Sequence, residues 1–228
     1  IVQAERLSAV GRFARSIVHD LKNPLNIISL SAEMSAMDNS TPEMRHKASV
    51  RIAAMVERIN EMVGEILEFT QGSSHHTSSA SPMDYSLFVT DLVDEIRAEI
   101  ELKSVTILLE NAPPPVKVLM DVKRLQRVFF NLIHNATDAV DGGGTVRLRF
   151  KLTGNELTTE IEDDGPGIAP QIADHLFDAF ATYGKAHGTG LGLSICKKII
   201  QDHKGKISAR NSSPRGAILS FTLPLAEE

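Results

Sequence analysis

The sequence predicts an α+β protein in two parts: an antiparallel helical hairpin, then one sheet with helices on one face. Three observations carry this. Apolar residues recur at steps of three and four through Leu7, Val10, Ala14, Ile17, Leu21 and Ile28, with one beat falling on Pro24, and again through Ala48, Ile52, Met55, Ile59, Met62, Ile66 and Phe69. That is the period of helices packed along a seam. A polar, Ser-rich stretch from Gly72 to Pro82 then breaks the pattern. Beyond it, short alternating runs stand between helical ones, which suggests mixed layers around one core.

The first helix is expected from about Glu5 to Met37. With Ala14 at heptad position a and Ile17 at d, His19 falls at f, far from the seam. Arg12, Arg15, Ser16, Lys22, Asn23 and Asn26 share or border its face. A histidine there sits in water among cations, within reach of an anionic partner; the plainer alternative is a solvated histidine beside an incidental proline. Pro24 removes one helix hydrogen bond and crowds the carbonyl of Asp20, so a bend is expected about one turn past His19.

Asp38 to Glu43 reads as a turn and a helix start, with Thr41 or Ser40 as cap and Pro42 in the first turn. In the second helix Val56, Val63 and Leu67 widen the apolar stripe. Two helices cannot hide two broad stripes, whereas a homodimer forming a four-helix bundle can.

Residues 73–82 are expected to be a linker, in which His75 and His76 are either solvated or metal-binding. A helix should run from Asp84 to about Lys103. Short strands follow at Val105–Leu109 and Val116–Met120, around Pro113-Pro114-Pro115. Asp121 opens a helix reaching about Val140. Val146–Leu152 and Leu157–Glu162 alternate as a strand pair. Helices are expected near Pro170–Phe180 and Leu191–His203, and Ile207–Asn211 with Ala217–Leu223 should close the domain.

Composition narrows the function. The 228 residues are 42% hydrophobic and 23% charged, with a net charge of −5. No global basic surface for nucleic acid is expected. No apolar run approaches the roughly 18 residues of a membrane span, so no membrane contact is expected in this fragment. The single Cys196 excludes an internal disulfide and a multi-cysteine metal site, and reads as a buried helix residue. The heptad pattern is already running by Leu7, so an upstream domain is expected.

Four segments of the second part carry possible chemistry. Asn131 and Asn135, four apart in Asn131-Leu132-Ile133-His134-Asn135-Ala136-Thr137-Asp138-Ala139, share a helix face. They are either solvated or reach a phosphate and its Mg²⁺, for which an amide oxygen is a suitable hard ligand. In Glu162-Asp163-Asp164-Gly165-Pro166-Gly167-Ile168, a strand ends in acids and two glycines allow close backbone approach. The segment is either a turn or a base-binding loop whose carboxylate accepts from an adenine amino group. Leu176-Phe177-Asp178-Ala179-Phe180 is core by default. Gly188-Thr189-Gly190-Leu191-Gly192-Leu193 opens a helix, where free N–H groups and the helix dipole favour an anion.

His19-Asp20-x-x-Asn23-Pro24-Leu25 resembles the phosphoacceptor box of bacterial sensor histidine kinases. The four later segments resemble, in order, the N, G1, F and G2 boxes of that family's catalytic domain, of the GHKL (Bergerat) type shared with DNA gyrase and heat-shock chaperone ATPases. The resemblance spans the chain and implies an α/β sandwich holding ATP under a mobile lid. It implies that residues 1–72 dimerise and carry the phosphotransfer histidine, and that residues 83–228 bind ATP. His19 would be the phosphoacceptor. Asp20 would hold its proton-bearing nitrogen, although neighbours one apart do not face each other on a helix. Asn23 would position the phosphoryl group or a hydrolytic water.

The nucleotide would lie against Asn131, Asn135, Asp163, Gly165, Gly167, Phe180, Lys185, Thr189, Gly190, Leu191 and Gly192, with Mg²⁺ at Asn135. For Lys185 a solvated side chain is the alternative, and His187 has no clear family role. The implied partner is the receiver domain of a response regulator, the implied location is cytoplasmic, with membrane anchoring of the full-length protein left open, and regulator phosphatase activity is expected. Relatives that hydrolyse ATP carry a glutamate where this chain has Asn131. A GHKL-type ATPase, an idle regulator-binding scaffold and a serine kinase of the anti-sigma type are the rival readings.

Overall fold

In a computed structural model, residues 2–71, 80–100, 105–140, 143–181 and 190–226 are described. Most of the expected linker, with His75 and His76, lies outside the described residues, as do Lys185, His187 and Thr189. So do the side chains of Leu7, Val10, Arg12, Ser16 and Phe69. The chain forms two compact units.

The first unit is the hairpin of α1 (Val2–Ala36) and α2 (Pro42–Gln71). Of the two candidate caps, Thr41 acts: its Oγ1 accepts from Met44 N at 3.2 Å. Ser40 serves through its backbone, where its carbonyl accepts from Arg45 Nη1 at 2.7 Å. Helix α1 continues through Pro24, which is buried. Ala48 and Met62 are buried too, but Val18, Leu25, Leu30, Met34, Val50, Val56, Val63 and Leu67 remain exposed. These large apolar side chains, which flank the heptad series, are therefore uncovered in a single hairpin, while Ile17, Leu21, Ile28, Ile52, Met55, Ile59 and Ile66 of the series are half-buried.

The second unit contains β1 (Ser81–Asp84), α3 (Tyr85–Ile100), β2 (Thr106–Leu109), β3 (Lys117–Met120), α4 (Val122–Ala139), β4 (Thr145–Thr153), β5 (Glu156–Asp163), α5 (Pro170–Ala173), α6 (Gly192–Asp202), β6 (Ile207–Asn211) and β7 (Ala217–Pro224). A five-stranded sheet has the order β2-β4-β5-β7-β6, with β2 parallel to β4 and the other pairs antiparallel. β1 and β3 form a separate antiparallel pair.

The register explains the sheet's two faces. Leu148, Ile161 and Leu219 lie side by side across β4, β5 and β7, as do Phe150, Thr159 and Phe221. All six are buried. Phe129 of α4 meets Phe221 edge-on at 5.4 Å between ring centres, and Tyr85 of α3 is hydrogen-bonded to Thr159. Burial pushes the Tyr85 phenol far above its ordinary pKa, against the opposing bond from Thr159. The opposite face is polar: Arg149 is ion-paired with Glu110, Glu160 and Glu162, and Arg210 with Glu160. Period-2 alternation has thus put helices on one face and charges on the other.

Three expectations need correction. Ser81 and Pro82 belong to β1, not to the linker, because their backbone pairs with Leu119 and Met120. The single sheet expected is two, because β3 pairs with β1 and stands apart from the five-stranded sheet. The helix expected over Pro170–Phe180 is helical only to Ala173. Beyond it His175 N bonds Ile172 O at 2.9 Å and Asp178 N bonds His175 O at 2.9 Å, the tighter i→i+3 pattern of consecutive turns.

Helices α4 and α6 run antiparallel along one another. Asp121 caps α4, accepting from Arg124 N at 3.2 Å, and its own N–H donates to buried His203 Nε2 at 3.0 Å. Arg124 pairs with Asp202 at 2.6 Å. At the other end Gly192 faces Asn131.

Candidate functional site

His19 lies in the middle of α1 with its side chain 73% exposed. Its Nδ1 is 3.2 Å from Asp20 Oδ1, and the Asp20 side chain is 20% exposed. A carboxylate only accepts, so the contact selects the tautomer with the proton on Nδ1 and the lone pair on Nε2. The helix rule against i,i+1 pairs describes Cβ positions; an imidazole and a carboxylate are long enough to meet around the rim. Arg15 and Lys22 are exposed nearby in sequence, and Asn23 is half-buried.

In the α/β unit, three of the four chemistry-bearing segments converge. Asn131 and Asn135 lie on α4, two turns and one turn before Ala139. The turn after β5 packs on that helix end: a Cβ at Gly165 would sit 2.7 Å from the Ala139 carbonyl oxygen. Only glycine allows that approach. Gly192, at the start of α6, closes over Asn131, and a Cβ there would already stand 3.6 Å from the carboxamide. Asn131 Nδ2 is buried and has no hydrogen-bond partner among the described residues. A buried amide donor left unmade is costly unless a ligand satisfies it.

Asp163 ends β5 and is buried. Its Oδ1 accepts from Gly165 N at 2.9 Å and from Ala217 N at 3.2 Å. Burial pushes its carboxyl above the ordinary value. The two N–H bonds oppose this, and the charges of Asp164 and Glu162 add to it. Both backbone bonds end on Oδ1, which leaves Oδ2 as the acceptor for a ligand.

The neighbouring acids do other work. Both Asp164 oxygens accept from Thr145 N, at 3.1 and 3.0 Å, and hold the start of β4. Burial acts to raise Glu162, but bonds from Ser212 and Arg149 outweigh it and hold its carboxyl below the usual range.

Gly167 has φ 85° and Gly190 φ 67°, conformations that favour glycine. Phe180 adopts φ 66°, unusual for a bulky residue, at the end of the run of turns. Leu191 is buried just before α6. Sequence reasoning missed the tip of the β6–β7 hairpin, where Asn211, Arg215 and Gly216 touch the turn after Asp163. The signal available was only Ser-Pro-Arg-Gly between two strands, which reads as a connection.

Comparison with known proteins now separates the readings. Residues 9–74 match the His Kinase A (phospho-acceptor) domain, and residues 120–227 match the family described as histidine kinase-, DNA gyrase B-, and HSP90-like ATPase. The chain belongs to the sensor histidine kinase family. This histidine kinase is 31% identical over 242 residues to the sensory histidine kinase/phosphatase NtrB of Rhodobacter capsulatus, covering 99% of the chain and 65% of the relative. It is 28% identical over 222 residues to the sensor histidine kinase ZraS of Salmonella typhi, covering 97% and 47%.

Among solved structures it resembles the histidine kinase ThkA in complex with response regulator protein TrrA, with a TM-score of 0.80 and 24% identity over 98% of this chain and 64% of that one. That likeness shows the fold: a helical hairpin followed by the GHKL α/β unit. The chain spans about half the length of the curated relatives it matches, from 36% to 65% of those just named and of AtoS of Escherichia coli. None of its described helices is long and apolar enough to cross a membrane.

The family implies a magnesium nucleotide, and the residues present fit one. Asn131 offers an unmet buried donor, and Asp163 Oδ2 is an acceptor that the two backbone bonds do not use. Among the described residues no cluster of three or more His, Cys, Asp or Glu forms a metal cage. Magnesium in phosphate sites takes one or two protein ligands and completes its shell with phosphates and water, so an amide site is sufficient.

Proposed function

We propose that this histidine kinase phosphorylates His19 from ATP and passes the phosphoryl group to an aspartate on the receiver domain of a response regulator. The placement of His19 carries this reading: an exposed imidazole with Nδ1 held against Asp20 and its lone pair on Nε2. Nε2 forms the new N–P bond as the bond from the γ-phosphorus to its bridging oxygen breaks, and that electron pair leaves with ADP. The Nδ1 proton then departs through Asp20 to water.

Little covalent work falls to the protein in phosphoryl transfer, so positioning dominates. Asp163 would accept from the adenine amino group, and Asn131 would bond a phosphate. Asn135 would hold Mg²⁺, which supplies charge neutralisation. Gly165, Gly167, Gly190 and Gly192 keep the backbone close to the nucleotide, with Phe180, Lys185, Thr189 and Leu191 around it. Asn131 stands where a water-activating glutamate would favour hydrolysis. The exposed apolar residues of α1 and α2 support pairing of two hairpins into a four-helix bundle. A fold shared with a kinase solved together with a response regulator supports the partner. Asn23 would serve the reverse reaction, dephosphorylation of the regulator.

Incubation with γ-³²P-labelled ATP tests this. Acid-labile, alkali-stable label should appear on the protein, disappear in His19→Gln and leave nucleotide binding intact there. Asn135→Ala should lose both Mg²⁺-dependent binding and label. Free phosphate without protein label indicates an ATPase, and normal labelling of His19→Gln overturns the phosphoacceptor assignment.

A further inference from the structure

The tip of the β6–β7 hairpin grips the turn that follows Asp163. Asn211 pairs with a single residue's backbone: its Oδ1 accepts from Ile168 N at 2.6 Å and its Nδ2 donates to Ile168 O at 3.1 Å. Two bonds of opposite sense fix both the position and the orientation of that backbone. The same amide occupies the space beside Gly167, where a Cβ would stand 2.8 Å from Asn211 Oδ1. Arg215 Nε donates to Gly165 O at 2.9 Å. Ala217 N reaches the Asp163 carboxylate itself at 3.2 Å. One hairpin therefore holds the turn at Asp163, Gly165 and Ile168.

Asn211 and Arg215 are both exposed. Neither fills the core, and the bonds just named run to the turn rather than to the hairpin's own strands. We propose that Asn211 and Arg215 are positioning residues that keep the Gly165–Ile168 turn, and with it the Asp163 carboxylate, aligned for an adenine base. This rests on the nucleotide-site reading above. Asp163 supplies the acceptor; the hairpin decides how narrowly it points, and hence how well an amino-bearing purine is preferred over one with a carbonyl in that place.

The test uses the whole chain and steady-state autophosphorylation with Mg-ATP and Mg-GTP. Asn211→Ala and Arg215→Gln should each raise KM for ATP about five- to tenfold, as expected for one or two lost hydrogen bonds, with kcat within about twofold. The preference for ATP over GTP in kcat/KM should fall by a similar factor. A purely structural role would lower the folded fraction and so kcat alone; unchanged KM and unchanged base preference in both variants overturn the proposal. Asp163→Asn runs alongside. Lost ATP binding there with unaltered hairpin variants sinks the hairpin proposal alone, whereas normal ATP binding by Asp163→Asn sinks the nucleotide-site reading with it. Should Asn211→Ala not fold, Arg215→Gln, an exposed change, carries the same comparison.

Discussion

Asp20 Oδ1 lies 3.2 Å from Nδ1 of its chain neighbour His19, on a stretch of α1 where the imidazole faces water. The pair sets a tautomer. Replacing Asp20 by Asn gives a group that can donate as well as accept, so the preference for Nδ1–H is lost. Labelling of Asp20→Asn should slow roughly 10²-fold, the lower end of what a positioned proton-handling group contributes. Nitrogen NMR of the imidazole should show a mixed tautomer in the variant. Unchanged tautomer and unchanged rate would remove Asp20 from the reaction.

Asn23 stands four residues after His19 on the same helix face. Asn23→Ala should impair dephosphorylation of the partner regulator by more than tenfold while autophosphorylation falls less than about threefold, on the scale of one lost hydrogen bond. Both rates are read with the same purified regulator. Equal loss refutes the division of labour.

Glu162 gives a pH-dependent stability prediction. Burial acts against its charge, but Ser212 and Arg149 hold the folded carboxyl below the unfolded value of 4.5. A group depressed on folding stabilises above its unfolded pKa and loses that contribution as pH falls through the folded one. Glu162→Gln should therefore cost about 1–3 kcal/mol at pH 7, the range for hydrogen bonds to charged groups. The gap between wild type and variant should narrow steadily below pH 4.5. Urea unfolding at several pH values measures it; a gap independent of pH would show that the charge is irrelevant.

Gly216 has φ 105°, and a Cβ there would lie 1.8 Å from the Asp163 carbonyl oxygen. Alanine must displace backbone on a buried strand end. Gly216→Ala should destabilise by about 3 kcal/mol, from overpacking together with left-handed strain, and a chemical denaturation midpoint reads this directly. Gly154, whose φ is 60° but whose surroundings are open, should tolerate alanine better.

Local chemistry made much of this legible from residue order. Heptad spacing placed both hairpin helices, Thr41 and Asp121 capped as their side chains dictate, and alternation in β4, β5 and β7 marked the inner face. What escaped was set by distant partners. Ser81-Pro82-Met83-Asp84 has the composition of a loop and becomes a strand only because β3 lies beside it. Parallel pairing of β2 with β4 is chosen by the crossover of α4, not by either strand's residues. Asn211 looks like the end of an edge strand until Ile168 is seen opposite it. Of the expected site, Asn131 on α4, Gly165 after β5 and Gly192 at the start of α6 lie in one unit: a Cβ at Gly165 would strike the Ala139 carbonyl, and Gly192 stands beside Asn131.

The latch between α4 and α6 has a mechanical consequence. Asp121 with His203, and Arg124 with Asp202, tie the head of one helix to the tail of the other. Helix α6 is thus a post anchored at its far end. At its near end Gly192 stands against Asn131, so the two ties at the far end also keep the asparagine face of α4 in register with the start of α6.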